Sequence, residues 1–374
     1  MISVHRWIKL VILCICPAII YKAWQGFKKY SYIINLELKS PVRVPLLKRL
    51  IAWKRGFLSE RMVIYDLDKD AGHRYLADIP YWRAHPYNGM YSDLIDSKLT
   101  LYFTLFRFCQ YLPVYYYLLA RNEMIPLNGN ATVTSQNKID VLLALCQEKG
   151  KLAIKPVAGT RGEGFLGIFF NDKRFFVDGK PIEESELNRR LRKLDNYIVT
   201  EYIQQHSYAN EFFALTTNPV RVLTLRDYDA HIAFLARAVQ RIGTSKTLPV
   251  PLWTRGSLLC NVDVESGQIG PGAAYPLNSR LIWHERHPDT GAPIAGVRVP
   301  DWSNLKLKIL EMANCLAMVP HMGWDVVVTE DGFKVMEINS LSDIDMYQIH
   351  KPLLEDDRIR RFYVTHIASS GNSP

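Results

Sequence analysis

The chain is 374 residues long, more than one hydrophobic core fills comfortably, so two or three lobes around a shared cleft are expected. Its 48% hydrophobic and 22% charged residues, with no internal repeat or low-complexity tract, exclude a disordered or repeat protein. The formal charge of +9 is concentrated at one end: residues 1–61 hold 12 Lys/Arg against Glu37 and Glu60, while the remainder holds 34 basic and 35 acidic side chains and offers no case for a nucleic-acid partner.

Residues 10–20, LVILCICPAII, form an uninterrupted apolar run behind His5, Arg6 and Lys9. This is signal-peptide length rather than spanning length, yet no small-residue cleavage site follows. Tyr21, Lys22, Trp24, Lys28, Lys29 and Tyr30 come next, a mixture suited to a headgroup zone, so a shallow membrane anchor is expected. The alternative is a buried N-terminal helix of the same length. Residues 1–60 are expected to be a basic, helical region interrupted by Pro17, Pro41 and Pro45. Six cysteines, at 14, 16, 109, 146, 260 and 315, show no CxxC spacing, which argues against a zinc site or a disulfide framework and for a reducing, cytosolic setting.

A second segment, 61–135, opens with loop-like aromatic text, then LIDSKLTLYFTLFRFCQYL reads as a helix ending near Pro113, followed by a short buried strand. In the third, 136–205, KIDVLLALCQEKG predicts a helix capped by Gly150. KLAIKPV, FLGIFF, KRFFVDG and YIVTEYI predict short strands, with a charged amphipathic helix at about 183–194. In the fourth, 206–374, PVRVLTLRD, HIAFLARAVQRIG, LLCNVDVESG, GWDVVVTEDG and FKVMEIN predict an antiparallel sheet, crossed by the helix LKLKILEMANCLAMV. Asp331-Gly332 between two apolar runs predicts a hairpin. The fold class is therefore α+β.

That hairpin carries the most specific chemistry. Asp325 opens one strand, and Glu337 and Asn339 close the other two residues apart, on one face. Three oxygen donors suit magnesium, a hard cation that keeps waters or phosphates as its other ligands; a solvated hairpin is the alternative. Upstream, Lys155 ends a strand before a loop holding Gly159, Gly162 and Gly164. Glycines let backbone amides approach phosphate and lysine supplies a point charge, although a plain hairpin loop would look the same. No GK[ST] follows, so this is not a Walker loop. Arg221, Arg226, Arg237, Arg241 and Arg255 lie between these features and require anions or solvent. The histidines at 284, 287, 321 and 350 lack metal-ligand spacing.

Taken in order, these strings resemble the ATP-grasp superfamily, and VRVLTLRD, VDVESGQIGPGA and the closing hairpin resemble its sugar-transfer-associated group. The resemblance covers about residues 94–345. It implies an ATP-grasp fold with an N-terminal lobe, a small α+β lid bearing the glycine loop, and a C-terminal antiparallel-sheet lobe. It implies that Lys98 in DSKLTLY and Lys155 bind phosphate, that the glycine loop covers ATP, and that the segment at Glu201, Tyr202 and Ile203 receives the adenine and ribose. Asp325, Glu337 and Asn339 would hold Mg2+ or Mn2+. Arg221 and Arg237 would neutralise the transferring phosphoryl group and the tetrahedral oxyanion, and Asn261 resembles an asparagine of amino-acid-ligating members. The implied activity is an ATP-dependent carboxylate-amine ligase working through an acyl phosphate, on sugar-linked substrates of surface polysaccharide assembly, in the cytoplasm at the inner face of the membrane. A small-molecule or glycan kinase and a non-catalytic nucleotide-binding scaffold are the alternatives.

Overall fold

The computed structural model describes residues 31 and 33–371, apart from 69–71, 122, 128–137, 160–161, 249 and 278–279. The apolar run at 10–20 lies outside the described residues, among which no helix is long and apolar enough to cross a membrane. The chain forms two compact units. One takes in the described residues up to His85 together with Pro276–Leu281 and those from Lys351 onward; the other comprises Pro86–Tyr275 and Ile282–His350.

The first unit is helical. Pro45 immediately precedes the helix Leu46–Lys54, where its fixed φ suits a helix start and its missing N–H costs nothing. A buried ionic cluster organises the unit: Arg61 binds Asp78 at 3.0 Å and Glu60 at 3.0 Å, and Glu60 accepts from the Ser40 hydroxyl at 2.6 Å. Tyr81 of the helix Asp78–Ala84 meets Tyr363 of the helix Asp357–Gly371 edge to face, with ring centroids 6.0 Å apart.

The second unit holds two seven-stranded antiparallel sheets. The strands in chain order are β1 Tyr115–Ala120, β2 Glu123–Pro126, β3 Lys151–Pro156, β4 Leu166–Asn171, β5 Arg174–Val177, β6 Lys180–Ile182 and β7 Tyr197–Glu201, then β8 Val220–Arg226, β9 Ala233–Ile242, β10 Leu258–Val262, β11 Ile269–Ala274, β12 Ile282–His284, β13 His321–Thr329 and β14 Gly332–Asn339. The first sheet runs β2-β1-β7-β3-β4-β5-β6 and the second β12-β11-β10-β9-β8-β13-β14.

Each sheet covers one face with helix. In the helix Lys138–Lys149, Ile139, Leu142, Leu143 and Cys146 recur at helical spacing and join Leu152, Ile154, Ile168 and Val199 in the core of the first sheet. In the helix Trp302–Cys315, Leu305, Ile309 and Met312 pack against Val222, Ala238, Cys260, Trp324 and Ile338 of the second. The four-residue β2, the three-residue β6 and β12, and the Gly/Pro-rich β11 are additions to the strands expected from sequence. The β13–β14 hairpin closes as Thr329 opposite Gly332, whose φ of +132° only glycine adopts readily.

Candidate active site

Directly opposed residues of neighbouring strands point to the same face. One such row crosses the second sheet: Glu337 faces Asp325, Asp325 faces Arg221, Arg221 faces Val239, and Val239 faces Asn261. Because the alternate face carries Trp324, Val222 and Ala238 into the core, this row looks away from the helix Trp302–Cys315. The hairpin register is interrupted after Asp325, where Asp325 pairs with Glu337 but Val326 pairs with Val335, leaving Met336 as an extra residue. That bulge breaks the two-residue alternation and lets the adjacent Met336 and Glu337 both line one cavity.

The cavity, of about 600 Å³, is walled by both sheets. One end is polar, with Lys98, Lys155, Arg241, Asp325 and Glu337. The lining elsewhere mixes Phe169, Tyr202, Ile203, Leu215 and Val250 with Lys151, Asp178, Gln205 and Thr217, and Lys151 Nζ lies 5.6 Å from the Phe169 ring centroid. Phe169 and Tyr202 meet edge to face at 4.9 Å.

Lys98 stands at the start of the helix Lys98–Thr104, where Ser97 caps by accepting from the Thr100 N–H at 3.3 Å. Alone, its sequence context reads as an exposed helix start; instead its side chain is buried. Its backbone N–H donates to Val157 O at 3.0 Å, its Nζ donates to Gly159 O at 3.2 Å, and its Nζ lies 3.6 Å from Glu337 Oε2. It thus joins the glycine loop to the metal-like hairpin. Just beyond that hairpin, Asp96 accepts from Ser340 N at 2.7 Å and Ser340 Oγ at 2.6 Å, fixing the chain that follows Asn339.

Asp325 is almost completely buried, and Arg221 grips it in two-pronged fashion, with Nη2 donating to Oδ2 at 2.6 Å and Nε to Oδ1. Arg241 Nη1 lies 3.6 Å from the same carboxylate while its Nη2 donates to Pro251 O at 2.7 Å. Burial pushes the Asp325 carboxyl up against the pull of Arg221 and Arg241, and adjacent Glu337 adds to the rise. Burial also works to raise Glu337, but its contact with Asp325 and the charges of Lys98, Arg221 and Lys155 outweigh it and hold Glu337 well below the usual carboxylate range. The two touching carboxyls are thereby pushed apart in titration. Burial brings Lys155 down to about 8, Glu337 opposing the fall and Lys98 adding to it.

The structure brings Lys98, Lys155, Gly159, Gly162, Tyr202, Ile203, Asp325 and Glu337 to the cavity wall. Gly162 and Gly164 have φ of +73° and +74°, and a Cβ on either would meet a neighbour, 2.7 Å from Val250 Cγ2 or 2.9 Å from Pro156 Cγ. The Glu201 carboxylate accepts from Val114 N at 3.1 Å, at the junction of β7 with the segment before β1, and lies outside the cavity lining. Arg237 shares the polar face of the sheet, donates to Ala236 O at 2.8 Å and is not among the lining residues; neither is Asn339, whose buried Nδ2 has no hydrogen-bond partner among the described residues. Arg241 takes a cavity position that sequence reasoning left unassigned, since alternation puts 237, 239 and 241 on one face without saying which reaches the ligand space.

A protein-family model described as "Sugar-transfer associated ATP-grasp" matches residues 93–358. The chain belongs to this family. Its two sheets and flanking helices are accordingly the α+β ATP-grasp fold. Among solved structures, the ATP-grasp ligase PsnB complexed with minimal precursor is 15% identical, with 75% of this chain and 63% of that chain covered and a TM-score of 0.39. D-alanyl-alanine synthetase A from Vibrio cholerae is 12% identical, with 76% and 67% covered and a TM-score of 0.44. The D-alanine-D-alanine ligase from Coxiella burnetii is 13% identical, with 74% and 60% covered and a TM-score of 0.36. The chain thus spans less than two thirds of PsnB. No match was found among curated protein sequences.

Proposed function

We propose that this ATP-grasp protein is an ATP- and magnesium-dependent carboxylate-amine ligase acting through an acyl phosphate. The observation that carries the reading is one cavity whose lining joins the clustered Lys98, Lys155, Asp325 and Glu337 to the aromatic pair Phe169 and Tyr202 and to Ile203, with polar groups among them. That lining suits a nucleotide, whose phosphates need cations and whose base needs an apolar surface with a few polar groups. Lys98 and Lys155 receive phosphate oxygens, with the backbone of the glycine loop beside them. Backbone groups at Tyr202 and Ile203 meet the adenine.

Asp325, Glu337 and Asn339 offer only oxygen donors of the kind magnesium prefers. Both Asp325 oxygens already accept from Arg221, yet each keeps a second lone pair for a cation, and the amide oxygen of Asn339 would be the third donor. A bound magnesium ion would supply charge neutralisation between the nucleotide phosphates. The substrate carboxylate attacks the γ-phosphorus, and the bond to the ADP oxygen breaks. The amine then attacks the acyl carbon, inorganic phosphate departs with the C–O electron pair, and the amine proton passes to solvent. Arg241 faces the cavity where negative charge accumulates, Arg221 lies outside the cavity lining and holds Asp325 in place, and Arg237 extends the same basic face.

The family description supports a sugar-linked carboxylate or amine, in surface polysaccharide or glycoconjugate modification. The basic lead-in supports work at the cytoplasmic face of a membrane. The test is ADP release by purified protein over sugar acids crossed with amines. ADP should appear only when a carboxylate and an amine are both present, with a product joining the two by an amide. A product carrying phosphate in place of the amine would make the protein a kinase and overturn the proposal.

A further inference from the structure

The helix Leu46–Lys54 is built inside out. Its one buried residue is Ala52, whereas Leu46 and Leu47 are each 70% exposed, Leu50 is 50% exposed and Trp53 is 42% exposed. On a helical wheel Trp53, Leu46, Leu50, Leu47 and Ile51 occupy an arc of about 160° centred opposite Ala52. Ile34 and Leu38, in the helical stretch before it, are exposed as well. A lone exposed leucine needs no explanation, but a row of five large apolar side chains on one helix face does.

Charge decides what covers the face. Lys54 lies within the apolar arc, exposed Lys39, Arg43 and Arg55 lie close in sequence, and residues 1–61 carry 12 basic side chains against two acidic ones. Two copies brought together through this region would repel, whereas an anionic bilayer attracts it. The composition also suits the boundary between headgroups and acyl chains: leucines reach inward, the Trp53 indole sits at the boundary, and a lysine stem can lie along the apolar layer with its ammonium in the headgroups.

We propose that the face formed by Leu46, Leu47, Leu50, Ile51 and Trp53 docks on an anionic lipid bilayer, as a contact additional to the apolar run at 10–20. The proposal rests on the membrane association put forward above, and the experiment separates the two.

The full chain is sedimented with vesicles of phosphatidylcholine alone and with vesicles that also contain phosphatidylglycerol. The comparison is with L46E/L47E/L50E, with the milder Leu50→Gln, and with a control, Leu307→Glu, at an exposed position on the helix Trp302–Cys315. The unaltered chain and the control should bind the anionic vesicles at least tenfold more tightly than the neutral ones. The triple variant should lose at least tenfold of that affinity, and Leu50→Gln a smaller part, with circular dichroism unchanged. If the triple variant bound like the unaltered chain, residues outside this face would carry the association and the docking proposal would fail alone. If the unaltered chain bound neither vesicle, both would fail. Self-association that the triple variant abolishes, with vesicle binding unaltered, would identify a second copy as the occupant and overturn the proposal.

Discussion

Replacing Arg221 by Met removes the two-pronged partner of a carboxylate that is 2% exposed. Removing one member of a buried ion pair costs about 3–5 kcal/mol, because the remaining charge is left uncompensated. Arg241, 3.6 Å from Asp325, stays behind and brings the expected loss to the lower end, about 3 kcal/mol. For a unit of this size that lowers the melting temperature by roughly 6–12 °C at pH 7. The loss should depend on pH. Asp325 is already raised to about 6 in the unaltered protein; with Arg221 gone, burial acts with less opposition and its carboxyl rises further. A group so raised is bound to its proton more tightly in the folded state, and the folded state loses stability as pH rises through that titration. The gap between Arg221→Met and the unaltered protein should therefore narrow as pH falls from 7 to about 6 and change little from there to 4, and Arg221→Met combined with Asp325→Leu should recover most of it. Differential scanning calorimetry across that range measures both. A shift under about 2 °C at pH 7, or one independent of pH, would refute the reasoning.

Lys155, brought down to about 8 by burial, loses its charge as pH rises through that value, so ADP affinity should fall between pH 7 and 9. Lys155→Met should lower ADP affinity at least tenfold at pH 7 and flatten the pH dependence, as read by titration calorimetry. Gly162→Ala puts a Cβ 2.7 Å from Val250 Cγ2 at a φ of +73°, costing about 1–2 kcal/mol in backbone strain and displacing the loop over the cavity. It should weaken nucleotide binding several-fold, and Val250→Ala should restore only the part due to the clash.

The hairpin was the most legible part of the molecule because two local signals agree there: Asp331-Gly332 fixes the turn, and two-residue alternation sets Glu337 and Asn339 on one face. The same alternation gave no sign that Met336 would share a cavity with Glu337, since a bulge arises from pairing with the neighbouring strand. Lys98 was legible only through resemblance. Its burial comes from contacts with Val157, Gly159 and Glu337, which are 59 or more residues away in the chain. The arginines show the limit of pattern most plainly. Arg237 and Arg241 are indistinguishable by face, and only the packing of Pro251 and Asp325 around Arg241 separates them. β11 was hidden by Gly270, Pro271 and Gly272, residues that ordinarily punctuate turns but here lie along a strand paired with β10. The helix Leu46–Lys54 inverts the usual inference, since its leucines face outward and its alanine inward.

The central claim, that nucleotide phosphates lie on Lys98 and Lys155 with magnesium at Asp325, Glu337 and Asn339, is tested most directly by calorimetry of ADP with and without magnesium, on the unaltered protein and on Glu337→Ala. Magnesium should tighten ADP binding to the unaltered protein at least tenfold, and Glu337→Ala should lose that gain while keeping its magnesium-free affinity within a few-fold. A magnesium gain undiminished in Glu337→Ala would contradict the account.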